Sequence, residues 1–241
     1  AMVSYIDKMR NTKYDKNVIE ARSSAMSNNP DRVGKTYDAI LTEKLCTTEQ
    51  TLYRRGNFMG TWDQVLVNSL REEHDADFGL SAGVRWGTSV LAGHDVSMED
   101  LMTNTSMTYG ETYKSEMTGQ AIKDMLEGVA ENLFQRDPYL QSGGDMVRVG
   151  GLDYTISPDA DYNQRISNIQ DDDGTAIDMN KKYTVAGWAQ VGSIGNGRLM
   201  WDVAADYLRK QKHLDLKKIN HPTIKGVKNN PGIENYNGDL I

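Results

Sequence analysis

The sequence predicts an α/β domain, of the α+β kind, in which a mixed sheet is flanked by helices. Three observations carry this. The segment opened by Thr118-Gly119-Gln120 places Ile122, Met125, Leu126, Val129 and Leu133 on one face at helical spacing and stops before Asp137-Pro138. Short runs at 146–149, 152–156, 165–169 and 182–188 have the composition and alternation of strands. Only 38% of residues are hydrophobic and 22 of 241 are glycine, which suits a loop-rich fold with long polar edges.

The remaining elements follow in order. Residues 1–50 are polar, thin in apolar side chains and interrupted by Pro30 and Gly34, so they read as a linker or docking arm. The core is expected to begin near Leu52. Trp62, Val65, Leu66 and Leu70 keep a helical period, with Thr61 as the expected N-cap. Phe78-Gly79-Leu80 reads as a short strand. Ser97 caps a short helix with acids in its first turn, and Ser106 to Met117 alternates as strands do. Asp171-Asp172-Asp173-Gly174 reads as a turn, because it lacks the alternate-position ligands and closing glutamate of a calcium loop. Gly192 to Gly197 reads as a flexible loop and Leu199 to Lys212 as an amphipathic helix. The predicted organisation is an arm over 1–50, a domain over 51–220 and an extended tail over 221–241.

Charge and motifs exclude several functions. A formal net charge of −7 disfavours a nucleic-acid backbone binder. No run of about 18 apolar residues is present, so no membrane partner is expected. The single cysteine, Cys46, has no partner for a disulfide and reads as a packing residue. His74, His94, His213 and His221 show no metal-ligand spacing, and neither a G-x-S-x-G elbow nor a Walker loop appears. No cofactor is expected within this chain.

What the sequence does offer is arginine among glycines. Ser142-Gly143-Gly144-Asp145-Met146-Val147-Arg148-Val149-Gly150-Gly151 brackets an acid and a base between glycine pairs, and Ser81-Ala82-Gly83-Val84-Arg85-Trp86-Gly87 repeats the theme. With Arg54 and Arg55 these form a candidate anion-binding set, since a guanidinium fork suits a planar oxyanion. Tyr109 and Trp188 sit beside similar glycines and could wall a ligand channel. The competing readings are tight turns with a solvated arginine, and plain core packing for the two aromatics.

Several segments together resemble one family. Leu52-Tyr53-Arg54-Arg55-Gly56-Asn57-Phe58, Gly83-Val84-Arg85-Trp86-Gly87-Thr88, Glu116-Met117-Thr118-Gly119, Asp124-Met125-Leu126-Glu127, Glu131-Asn132-Leu133-Phe134 and the Gly143–Gly151 run are similar to the C-terminal half of the SoxB thiosulfohydrolases, which are relatives of 5′-nucleotidases. The resemblance implies a 5′-nucleotidase C-terminal-like fold over about residues 50–190 and a periplasmic, two-domain hydrolase. Its N-terminal metallophosphatase domain would hold two manganese ions, and its substrate would be a cysteine S-sulfonate on a sulfur-carrier protein. Arg85 and Arg55 then fall on substrate-contacting segments, with Arg148 and Asp145 beside them. Tyr109 and, roughly, Trp188 fall near the nucleotidase base clamp. The alternatives are the same domain of a 5′-nucleotidase or 2′,3′-cyclic phosphodiesterase, and a stand-alone anion-binding module.

Overall fold

A computed structural model describes residues 2–14, 29–54, 56, 58–84, 86–106, 109–190 and 197–226. The helices are α1 (Met2–Arg10), α2 (Tyr37–Leu41), α3 (Thr61–His74), α4 (Met98–Thr105), α5 (Gly119–Phe134) and α6 (Met200–Gln211). The strands are β1 (Lys44–Thr48), β2 (Phe78–Ser81), β3 (Asp95–Ser97), β4 (Thr112–Thr118), β5 (Arg148–Gly150), β6 (Leu152–Ile156), β7 (Ile166–Asp171), β8 (Lys182–Trp188), β9 (His213–Leu214) and β10 (Thr223–Ile224).

They form three small mixed sheets. The largest has the order β4-β8-β2-β5, with β2 parallel to β8 and antiparallel to β5. The others are β3-β1-β9 and β10-β6-β7. Helix α3 is the shared wall. Its Trp62, Val65, Leu66 and Leu70 enter one apolar cluster with α6 and β1. Its Val67 meets the large sheet where Gly79 and Gly150 are paired across β2 and β5. A Cβ at Gly79 would lie 2.4 Å from the Val67 carbonyl oxygen, and one at Gly150 would lie 2.7 Å from the Val67 side chain. Only glycine lets the helix backbone approach this closely. The second glycine pair of the 143–151 run therefore serves helix packing rather than ligand approach.

Four expectations change, and a fifth is untested. Residues 37–48, expected within a linker or docking arm, pack into the domain core: Ile40, Leu45 and Cys46 are buried in the α3–α6 cluster, and β1 is the central strand of its sheet. Each segment contributes too few apolar side chains to stand out by composition. Thr61 is the first helical residue and Gly60 the N-cap, whose N–H is held by Asp63. Within 106–117 a strand forms only from Thr112 onward. The 221–241 tail is not wholly extended away, because β10 pairs in parallel with β6 and Pro222 is buried. The 192–197 loop lies almost entirely outside the described residues.

Candidate functional site

The site grows from the first turn of α3. Asp63 there is fully buried and accepts from three donors: Gly60 N–H at 3.0 Å, Arg54 Nε at 3.1 Å and Arg148 Nε at 3.2 Å. Arg54 and Arg148 are buried with it. Burial pushes the Asp63 carboxyl upward, while the two guanidinium groups and the Gly60 amide pull it back. Three donors on two oxygens make the carboxylate the form this site holds.

Each arginine then reaches a different loop. Arg54 donates to the carbonyls of Asn104, at the end of α4, and of Ala82 at 3.3 Å. Arg148 donates to Met146 O at 3.1 Å, Gly56 O at 2.6 Å and Asp145 Oδ2 at 3.1 Å. Gly83 lies directly against the Asp145–Met146 backbone, since a Cβ at Gly83 would fall 2.6 Å from Asp145 Cβ and 2.7 Å from Met146 O. At Gly87 the backbone has φ +111°, and a Cβ would lie 2.1 Å from Asn104 Oδ1, so glycine is required twice over. That Asn104 oxygen is buried and has no hydrogen-bond partner among the described residues, while its Nδ2 holds Thr88 O and Asp100 O. His221 closes the far side. Its ring stands edge-on to Phe58 at 5.8 Å, and burial followed by the Arg148 charge lowers its pKa against the opposing bond to Pro222 O.

The expected residues fare differently. Arg148 and Asp145 belong to the cluster, but Arg148 is completely enclosed, so its fork is committed to the chain itself instead of to a ligand. Arg85 and Arg55 lie outside the described residues; Arg54 belongs to the cluster, and Gly56 and Ala82 accept from its arginines. Tyr109 is 39% exposed with φ +63°, on the loop where Gly110 O accepts from Met200 N. Trp188 is buried in the α3–α6 cluster and donates its indole N–H to Ser81 Oγ at 2.8 Å, so it does not face a channel. Sequence reasoning misses Asp63. It reads there as one more acid in a helical first turn, and its partner Arg148 is 85 residues away.

Clefts lie elsewhere in the fold. A cleft of about 500 Å³ opens beside the C-terminal half of α3, but its cations Arg71, Lys217 and Lys218 are paired with Asp172, Asp215 and Asp153. Among the described residues no group of three or more His, Cys, Asp or Glu side chains could hold a metal ion. A dinuclear manganese site therefore does not fit the described part of this chain. No described helix is long and apolar enough to cross a membrane.

The chain is a mixed α/β scaffold whose glycine-bearing loops pack against a buried cluster of Arg54, Asp63 and Arg148. The family model of the 5′-nucleotidase C-terminal domain matches residues 34–204, and the chain belongs to that family. Among curated proteins, none matches it. Of solved structures, the sulfate thiohydrolase SoxB of Thermus thermophilus, in complex with glycerol, is similar at 30% identity and TM-score 0.72; the match covers 79% of this chain and 36% of that one. A 5′-nucleotidase precursor, also from Thermus thermophilus, matches at 12% identity and TM-score 0.61, over 79% of this chain and 41% of that one. The NAD nucleotidase of Haemophilus influenzae matches at 15% identity and TM-score 0.61, over 91% and 44%. The last two show the fold alone. The chain spans less than half the length of each.

Proposed function

We propose that this domain is the substrate-binding half of a SoxB-like thiosulfohydrolase, which hydrolyses a carrier-bound cysteine S-sulfonate and releases sulfate. The observation that carries the reading is the convergence of the segments bearing Arg55 and Arg85 on one buried cluster of Arg54, Asp63 and Arg148. Arginine-bearing segments anchored on one buried cluster suit a small, strongly charged oxyanion head. The greater identity to SoxB than to the nucleotidases points the same way. So does the burial of Trp188, which removes one ring from a base clamp.

In this reading Arg85 and Arg55 contact the sulfonate oxygens and Arg148 holds their loops in place. Tyr109 lines the rim. Water adds to the sulfonate sulfur, the sulfur–sulfur bond breaks, and the carrier thiolate leaves with the bonding electrons. In the whole protein, an N-terminal metallophosphatase half would hold manganese, which would supply the activation of that water; the carrier and the periplasmic setting belong to the same reading.

Calorimetry of this chain should show binding of a cysteine S-sulfonate peptide, weakened about tenfold or more in Arg85→Ala by loss of one charged hydrogen bond. AMP should bind no tighter than about millimolar, the range left when stacking and base contacts are absent. Neither ligand should be turned over by this chain with added manganese. Tighter AMP binding that is lost in Tyr109→Ala would favour the nucleotidase reading, and unaltered peptide binding in Arg85→Ala would sink the present one.

A further inference from the structure

We infer that the exposed apolar stripe of α1 is the docking surface for the other half of the same protein, an inference that rests on the two-domain part of the reading above and not on its substrate. Met2, Tyr5, Ile6 and Met9 recur at the i, i+3, i+4 and i+7 spacing of one helix face, and all are 47–73% exposed. No side chain of the helix is buried. A helix of nine residues is too short to persist in water by itself, and a contiguous apolar stripe on an ordered element marks a contact surface.

The anchoring of α1 uses other residues. Arg10 Nε donates to Asp38 of α2 at 2.8 Å, and its two terminal nitrogens donate to Glu99 of α4 at 3.1 and 3.0 Å. Tyr14 is buried in the α3–α6 cluster, edge-on to Tyr37 at 6.0 Å, and its N–H donates to Lys35 O at 2.8 Å. Residues 10–14 thus hold the helix on the domain and leave the stripe for a partner. Free partners that associate stably cover about 800 Å² each, with roughly 20–30 residues a side. Four side chains on a nine-residue helix fall far short of that, which disfavours a second copy of this chain. A covalently tethered partner meets the stripe at an effective concentration on the order of millimolar and needs far less area. The family domain begins at residue 34, downstream of α1, and the matches cover only 36–44% of the solved relatives. A preceding half of the protein is the partner that would reach α1 already tethered.

The test compares amide exchange in this chain with exchange in the longer natural protein. Amides of α1 should exchange about tenfold or more slowly in the longer protein, where the stripe is covered. There, Ile6→Asn should return them toward the rate seen in this chain, because a polar amide would enter an apolar contact. Ile6 belongs to neither apolar cluster, so the domain should keep its Tm. Ser4→Asn, on the same helix but off the stripe, should leave the exchange slow. Sedimentation of this chain should show a monomer. Equal exchange in the two proteins, or equal effects of the two substitutions, overturns the inference. So does a dimer of this chain that Ile6→Asn dissolves, since the occupant is then a second copy. A natural protein with no preceding half overturns both the inference and the two-domain reading. None of these measurements reads peptide binding, on which the sulfonate proposal stands or falls separately.

Discussion

At the scale of single residues, Arg148 shows how differently one side chain reads in sequence and in space. Glycine pairs on both sides suggest an exposed fork awaiting an anion. In the fold the fork is sealed between Asp63, Asp145 and two carbonyls, with no exposure. Removing one member of such a group leaves the others buried without their counter-charge. Arg148→Ala should therefore cost about 3–5 kcal/mol of stability, measured by denaturant unfolding; a change below about 1 kcal/mol, the range of exposed pairs, would contradict that picture. Sequence holds the arginine but not its role. Nothing in a linear string separates an enclosed guanidinium from a solvated one when one of the two carboxylates that neutralise it, Asp63, lies on a distant helix. Trp188 is equally ambiguous in sequence, because an aromatic after a glycine can wall a channel or fill a core.

At the scale of elements, legibility follows apolar periodicity. The strands 152–156 and 182–188 read in sequence with the bounds that they have in the fold, and the α5 stripe is evident, because each carries its own pattern. Elements that borrow their burial from others are lost. β1 shows only Leu45 and Cys46 as buried apolar side chains, and β10 is a two-residue strand whose partner, β6, lies far back in the chain. The contact of α3 with the large sheet belongs to this scale too. Because Gly150 touches Val67, Gly150→Ala should force the helix away and cost about 1–3 kcal/mol as an overpacking change. Gly128→Ala, where a Cβ meets nothing within 4 Å, should be neutral or stabilising because alanine is the better helix former. Thermal unfolding of the two variants gives the contrast, and equal Tm values would remove the close-approach argument.

At the scale of the whole molecule, proton linkage gives a global readout of the site. His221 is depressed below its ordinary 6.5, first by burial and then by Arg148, and His74 is depressed by burial together with Arg198 and Lys114. Between the folded and unfolded pKa values the unfolded chain binds more protons, so stability is present above about pH 6.5, where both states are neutral, and falls as the pH drops below it. Tm should decline from pH 7 toward pH 5.5, and less steeply in His221→Asn. A profile of identical slope in that variant would show that His221 does not take part.

Cys46, the only cysteine of the 241 residues, allows the molecule to be followed in time. It lies in the central strand β1, and burial pushes its thiol up to about 11. Only the thiolate reacts with an alkylating reagent, and a sealed thiol cannot meet one. Labelling should therefore proceed only as fast as β1 opens, so that the modification rate clocks excursions out of the native state under conditions where no denaturant is present. Mass spectrometry should show a single adduct accumulating slowly, at a rate that rises with each destabilising substitution. Immediate, stoichiometric labelling would mean that β1 is separated from α3 and α6 far more often than its packing allows.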